Sequence, residues 1–155
     1  MSKKLPCFNS MTPVLDYLKL MTDLQRTGHN GNAAWPYRSF EELVLKLGRA
    51  FTPGTTGTAY RGRLKECYLN AYRLVDKSPA LIYCEGYAHS GILPVHHAWA
   101  VDKTGRVYEP TWQKIGLEYH GLPFKREFMY LTALRRGVYG IMEDPEGKFP
   151  LLQGV

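Results

Sequence analysis

Residues 95–109 read VHHAWAVDKTGRVYE, and this pattern predicts two β-strands joined by a tight turn. The segment DKTGR suits a three-residue loop, in which a type I turn is followed by Gly105 in the left-handed conformation. In such a loop Asp102 pairs with Arg106. Pairing then continues outward along both strands, so the turn determines which side chains share a face of the hairpin.

The predicted register brings a histidine and a carboxylate to one face of this hairpin. His97 faces Thr111, and Glu109 is a diagonal neighbour on the same face, roughly 7–8 Å away at the backbone. A glutamate side chain can reach an imidazole nitrogen across that distance. His96 alternates to the other face. A four-residue loop would put Glu109 on the wrong face, so the expectation depends on the length of the turn.

Cys67 supplies a thiol at the predicted start of a helix, which begins near Glu66 and breaks at Ser78-Pro79. Amides in the first helical turn are unpaired and the helix dipole favours an anion, so a thiolate there would be stabilised. Three nearby cations add positive charge: Arg61, Arg63 and Lys65. On position alone, Cys67 fits a buried packing residue equally well.

Length and composition indicate one globular domain. The chain has 155 residues, 45% of them hydrophobic and 13% aromatic, which suffices for a core without metal or disulfide support. We expect a single domain over residues 1–155, with residues 1–10 flexible and a core of about 12–143. No apolar run approaches the roughly 20 residues of a membrane span, and the N-terminus lacks the apolar segment of a signal peptide.

The cysteines indicate the cellular compartment of the protein, and the distribution of charge indicates which class of partner it binds. Cys7, Cys67 and Cys84 are an odd number of cysteines without a CxxC pair. Without a secretory signal, free thiols in a reducing cytoplasm are expected. The net charge is +6, but the cations are scattered rather than gathered into a patch, so a nucleic-acid partner is not expected.

The rest of the chain predicts an α+β fold, with N-terminal helices packed on a mostly antiparallel sheet. Ser39 and Glu42 form a capping box at the start of the second helix. Residues 52–63, TPGTTGTAYRGR, lack the ending of a phosphate-binding loop and are predicted to be a flexible lead into the helix of Cys67. Helices are expected at about 13–25, 39–47 and 66–77, strands at 81–88, 95–102 and 106–109, a strand or short helix at 127–133, and an irregular tail from 144.

Three segments together resemble the transglutaminase-like branch of the papain-like cysteine enzymes. They are Cys67 at a helix start, His97-Ala98-Trp99 on a strand, and Glu109-Pro110-Thr111 on the next strand. Cys67-Tyr-Leu-Asn-Ala and Glu85-Gly86-Tyr87 are also similar to segments of small microbial and phage proteins with this layout. The resemblance covers about residues 60–115. The family's acid is typically Asp, whereas this chain has Glu109, one methylene longer.

The resemblance implies a papain/transglutaminase-like core and a catalytic triad of Cys67, His97 and Glu109 that needs no cofactor. The thiol attacks an amide or ester of a protein, peptide or small molecule, His97 moves the proton, and Glu109 orients the ring. The Cys67 amide would bind the oxyanion with a second donor, for which Tyr60 and Asn70 are the candidates. Trp99 is expected to wall the site or to be a core aromatic. A phage-encoded member would act in the cytoplasm of its host.

Two other hypotheses remain open from the sequence. A metal site could use Cys84 and four histidines, namely His89, His96, His97 and His120, but their spacings match no tetrahedral motif. A catalytically inactive binding module could keep the fold and bind a protein or small-molecule partner, and the Glu109 departure favours it. Thiol reactivity discriminates between enzyme and module, because only an enzyme needs one cysteine far more reactive than the others.

Overall fold

The computed structural model describes residues 12–28 and 34–154. The expected flexible lead at residues 1–10, with Cys7, lies outside the described residues. The elements follow the chain as α1 (Pro13–Thr27), α2 (Phe40–Leu47), β1 (Arg49–Thr55), α3 (Cys67–Lys77), β2 (Ile82–His89), β3 (Pro94–Val101), β4 (Arg106–Tyr108), β5 (Glu118–Phe124) and α4 (Arg126–Arg136). Helices combined with a mixed sheet make an α+β fold, as predicted.

The five strands close into a barrel with the order β1-β4-β3-β2-β5. Strand β1 pairs parallel with β4 and antiparallel with β5, and every other pairing is antiparallel. The sheet is therefore mostly antiparallel, as expected, but its closure was not predicted. In a small barrel alternate side chains of each strand fill the interior. Here the interior cluster takes residues from all five strands: Phe51, Cys84, Ala88, Trp99, Val101, Val107 and Tyr119.

The hairpin of β3 and β4 has the predicted register. Ala100 pairs with Tyr108 and Val101 with Val107. Gly105 has a φ of +84°, in the left-handed region that the turn requires. The Asp102 amide donates to the Arg106 carbonyl at 3.1 Å. This confirms the three-residue turn.

Strand β4 is shorter than expected. The paired ladder ends at Tyr108, so Thr111 is not a ladder partner of His97. Instead, the Glu109 amide donates to the Thr55 carbonyl of β1 at 2.8 Å. The chain thus leaves β3 at Glu109, whose backbone is hydrogen-bonded to β1 instead.

The structure corrects one local expectation, adds a strand that the sequence did not predict and decides between two alternatives. Residues 49–55 form β1, although 52–63 was expected to be flexible. Pro53 and Gly54 lie where the register with β4 shifts, and an irregularity of this kind tolerates residues that weaken a regular strand. Strand β5, EYHGLPF, was missed because its Gly121 and Pro123 obscure the strand pattern. Residues 127–133, left open between strand and helix, belong to α4.

The helices cover the outside of the barrel in two groups. Helix α3 packs through Ala71 and Leu74 on Ala98 and Ala100, the outward side chains of β3. Because alanines are small, the helix lies close to this strand. Helices α1 and α2 cover a second outer cluster around Tyr87 of β2. Within the described part of the chain, no helix has both the length and the apolar composition to cross a membrane.

Glycine at position 121 should be needed for the barrel to close. Gly121 of β5 pairs with Gly86 of β2, and a Cβ at 121 would lie 2.4 Å from the Glu85 carbonyl oxygen and 2.8 Å from Trp99 Cη2. Gly121→Ala is expected to destabilise the fold by about 1–3 kcal/mol, as overpacking of a core does. Urea unfolding measures this. Gly57→Ala, in an exposed position with only Thr55 Oγ1 close by at 3.3 Å, is the control, and equal losses in both variants would contradict the expectation.

Candidate active site

The three residues of the predicted triad meet at one end of the barrel. Cys67 is the first residue of α3, His97 lies in β3, and Glu109 follows β4 directly. His97 Nε2 is 2.7 Å from Glu109 Oε1. Both side chains are buried, with residue exposures of 2% and 0%. The contact that the turn parity predicted is therefore present.

The Glu109 carboxylate is hydrogen-bonded on both oxygens. Besides His97, the Tyr119 hydroxyl donates to Oε1 at 2.9 Å. The amides of Thr111 and Trp112 donate to Oε2 at 2.9 and 3.2 Å. Burial acts to raise the pKa of this carboxyl, but the hydrogen bonds and charge of His97, with the two amides, outweigh it and lower the pKa. Glu109 is thus an anion held in place by four donors.

His97 lies between this anion and the thiol. Since Nε2 faces Glu109, the other ring nitrogen, Nδ1, is the one available to Cys67. Burial acts to lower the pKa of His97, but hydrogen bonds with Cys67 and Glu109 outweigh it and raise the pKa to about 9. The imidazole is therefore protonated at neutral pH and can hold a thiolate beside it.

Aromatic rings pack against the His97 imidazole. The Trp112 ring stacks on His97 with centroids 3.9 Å apart and planes at 10°. Trp99, expected either to wall the site or to be a core aromatic, is a core aromatic: it is fully buried inside the barrel, with its centroid 6.2 Å from that of His97. Trp112 and Tyr119 were missed as site residues. The signal for Trp112 was its place directly after Glu109-Pro110-Thr111, whereas Tyr119 lies on the undetected strand β5.

The two candidate oxyanion donors have other roles in the structure. Asn70 is fully buried, and its Nδ2 donates to the Arg63 carbonyl at 2.8 Å and to Thr111 Oγ1 at 3.0 Å. Both hydrogens of this amide are therefore in use. The Tyr60 hydroxyl accepts from Arg73 at 3.1 Å and does not line the cavity next to Cys67. Asn70 instead ties α3 to the segments on either side of the site.

A cavity of about 480 Å³ opens beside the thiol, lined by Cys67, His97 and Trp112 together with Leu64, Tyr68 and Val95. Another cavity, of about 540 Å³, lies near the other end of α3 between Val75, Leu81 and Phe124. Neither a thiol nor an imidazole lines that second cavity. The reactive groups therefore face the first one.

Three of the side chains considered for a metal site, Cys84, His96 and His97, have other surroundings in the structure. Among residues 12–28 and 34–154, no group of three or more His, Cys, Asp or Glu side chains is arranged to hold a metal ion. Cys84 is fully buried inside the barrel, and burial raises the pKa of its thiol. His96 faces Tyr68 and His97 faces Glu109.

Comparison with protein-family models gave no match, and neither did comparison with curated proteins or with solved structures.

The charge on His97 should depend on its two neighbours. We expect its imidazole to titrate near pH 9 in the wild type and at lower pH in Glu109→Gln, because the amide does not balance the positive charge. The folded pKa of about 9 exceeds the ordinary value of 6.5, so protonation of His97 stabilises the fold fully below pH 6.5, and this stabilisation is lost as the pH rises through 9.

Nuclear magnetic resonance of the histidine rings measures the titration. His120, whose pKa is lowered by burial, is the internal control and should not respond to Glu109→Gln. An unchanged His97 midpoint in that variant would show that Glu109 does not set the charge of the ring.

Proposed function

We propose that this chain is a cysteine-dependent enzyme of acyl transfer or amide hydrolysis, with Cys67 as nucleophile, His97 as general base and acid, and Glu109 as the orienting anion. The observation that carries the proposal is the buried His97 imidazole, fixed by Glu109 at 2.7 Å on one side and facing the Cys67 thiol on the other. A nucleophile, a base and a group that orients the base are the parts that thiol catalysis needs.

Each step of the proposed reaction depends on whether His97 holds or releases a proton. At neutral pH His97 already holds the proton given up by the Cys67 thiol, and the Cys67 sulfur attacks the carbonyl carbon of an amide or ester. The carbonyl electrons move to oxygen, and the collapse of this intermediate expels the amine or alcohol, which receives its proton from His97. A thioester remains on Cys67. Water releases it as an acid, or an amine releases it as a new amide. In either case His97 takes the proton that the attacking water or amine loses, so that the protonated imidazole beside the Cys67 sulfur is restored.

Burial makes the Glu109 charge important for this cycle. An imidazolium enclosed by protein is costly unless a counter-charge lies beside it. Glu109 supplies that charge and, by accepting from Nε2, leaves Nδ1 for the thiol. The packing of α3 on strands β2 and β3 supports a papain/transglutaminase-like core, because it sets the thiol at the start of a helix beside the histidine strand.

The substrate class is an amide or ester of a protein, peptide or small molecule, without a nucleic-acid partner. Peptidase, isopeptidase, deamidase and transglutaminase-like reactions share these three residues and differ in the group that resolves the thioester. Cys67 and Cys84 are free thiols, which fits action in a reducing cytoplasm.

A thiol-directed probe should label Cys67 much faster than Cys84 at neutral pH, because Cys84 is fully buried. Cys67→Ala should abolish labelling and turnover, while Cys84→Ala keeps both. Mass spectrometry of the labelled peptides identifies the site. Labelling of Cys67 no faster than that of a free cysteine would leave the chain as a non-catalytic binding module.

Removing only the charge of the orienting acid should slow the reaction without unfolding the chain. Glu109→Gln is expected to reduce turnover by on the order of 10²–10⁴, whereas Glu109→Asp keeps the charge and should lose less. Turnover should also fall as the pH rises through about 9, since His97 then loses the proton that the leaving group needs. Equal rates in Glu109→Gln and the wild type would remove Glu109 from the mechanism.

A further inference from the structure

The oxyanion of the proposed reaction needs a second donor that the sequence did not identify. The Cys67 amide is one donor, because amides in the first turn of a helix have no partner within the helix. Asn70 uses both of its amide hydrogens, and Tyr60 does not reach the cavity. A single donor is a weak oxyanion hole, since each donor contributes substantially to the rate.

Tyr68 follows Cys67 in the chain and lines the same cavity. Its hydroxyl oxygen is 2.9 Å from His96 Nδ1. In the part of the chain that the structure describes, this is the one hydrogen bond of that hydroxyl. Burial, together with the charges of Glu85 and Cys67, raises the pKa of Tyr68 well above its usual value. The hydroxyl therefore keeps its proton.

The direction of the Tyr68–His96 hydrogen bond follows from the other ring nitrogen. Burial, with the charge of His97, lowers the pKa of His96 to about 4, so the ring is neutral and carries one proton. His96 Nε2 is buried and has no partner among the described residues. Among buried backbone groups, an N–H without an acceptor is rarer than a carbonyl without a donor, and the same preference favours the tautomer in which Nε2 carries no proton. With the proton on Nδ1, that N–H donates to the Tyr68 oxygen, and the unpartnered Nε2 then needs no acceptor.

This arrangement leaves the hydroxyl hydrogen of Tyr68 free. An oxygen that already accepts from an N–H also donates more strongly, because consecutive hydrogen bonds polarise one another. We infer that the Tyr68 hydroxyl, set by His96, is the second oxyanion donor of the Cys67 site. This inference rests on the function proposed above, and it adds a neutral hydroxyl donor that acts on the carbonyl oxygen of the acyl donor.

The inference predicts that Tyr68 affects only reactions that pass through an oxyanion. With p-nitrophenyl acetate, the Cys67 sulfur bonds to the carbonyl carbon, the carbonyl oxygen becomes negative, and its return expels p-nitrophenolate and leaves an acetyl thioester. With iodoacetamide, the sulfur displaces iodide from a saturated carbon and no oxyanion forms. The two reagents use the same thiol and the same His97.

The experiment compares both reactions in the wild type, Tyr68→Phe and Tyr72→Phe. Tyr72 is the matched control, since it lies one turn further along α3 and its ring contacts Tyr130 and Tyr139 rather than the site. Tyr68→Phe is expected to slow the burst of p-nitrophenolate by on the order of 10²–10³ while the alkylation rate of Cys67 stays close to that of the wild type. Tyr72→Phe should change neither rate.

The other outcomes of this experiment would contradict either the assignment of Tyr68 or the proposed function. A normal burst in Tyr68→Phe, or a wild type that alkylates rapidly without a burst, would overturn the assignment of Tyr68 while leaving the Cys67 nucleophile in place. Loss of both reactions in a Tyr68→Phe protein with a wild-type circular dichroism spectrum would also overturn it, because Tyr68 would then act through the thiol. If neither reagent favours Cys67 in the wild type, the proposed function itself fails.

Discussion

The rest of the site depends on one buried anion, the carboxylate of Glu109. A charge inside a small barrel is tolerated only when donors surround it. The four donors come from separate parts of the chain: His97 on β3, Tyr119 on β5, and the amides of Thr111 and Trp112 after β4. The hydrogen bonds to the Glu109 carboxylate therefore fix the orientation of the imidazole, the turn after β4 and the position of β5 at the same time.

The loop before α3 couples the thiol to this anion. The Gly62 amide donates to the Pro110 carbonyl at 3.0 Å, and Asn70 joins the Arg63 carbonyl to Thr111 Oγ1. A Cβ at position 62 would overlap the Asn70 side-chain amide, so a larger residue there would displace that amide from its two hydrogen bonds. The start of α3 is thus hydrogen-bonded to the segment that carries Glu109. Catalytic groups need such rigid support to keep a reactive geometry.

The two faces of β3 make different contacts in the barrel. Inward side chains, His97 and Trp99 among them, belong to the site and the interior, while the outward Ala98 and Ala100 admit α3 closely. His96 also points outward, yet it meets Tyr68 of the same helix. Neighbouring histidines on one strand therefore have different partners: His97 is a protonated imidazole hydrogen-bonded to a carboxylate, and His96 is a neutral ring hydrogen-bonded to a hydroxyl.

The sequence by itself determined the local part of this arrangement. Gly105 and the length of its turn set the parity that brings Glu109 to the face of His97, and the pattern after Glu66 placed Cys67 at a helix start. Such features could be predicted because turn geometry and residue periodicity act over a few neighbouring residues.

Only the tertiary structure decided which side chains support the site. Pairing with β4 and β5 makes a strand of residues 49–55 despite Pro53 and Gly54, and closure of the barrel brings Tyr119 to Glu109. The sequence makes Asn70 a candidate oxyanion donor, but in the structure its amide hydrogens are donated to the Arg63 carbonyl and to Thr111 Oγ1. Whether a polar group is free depends on partners far away in the chain, and no local pattern records those partners.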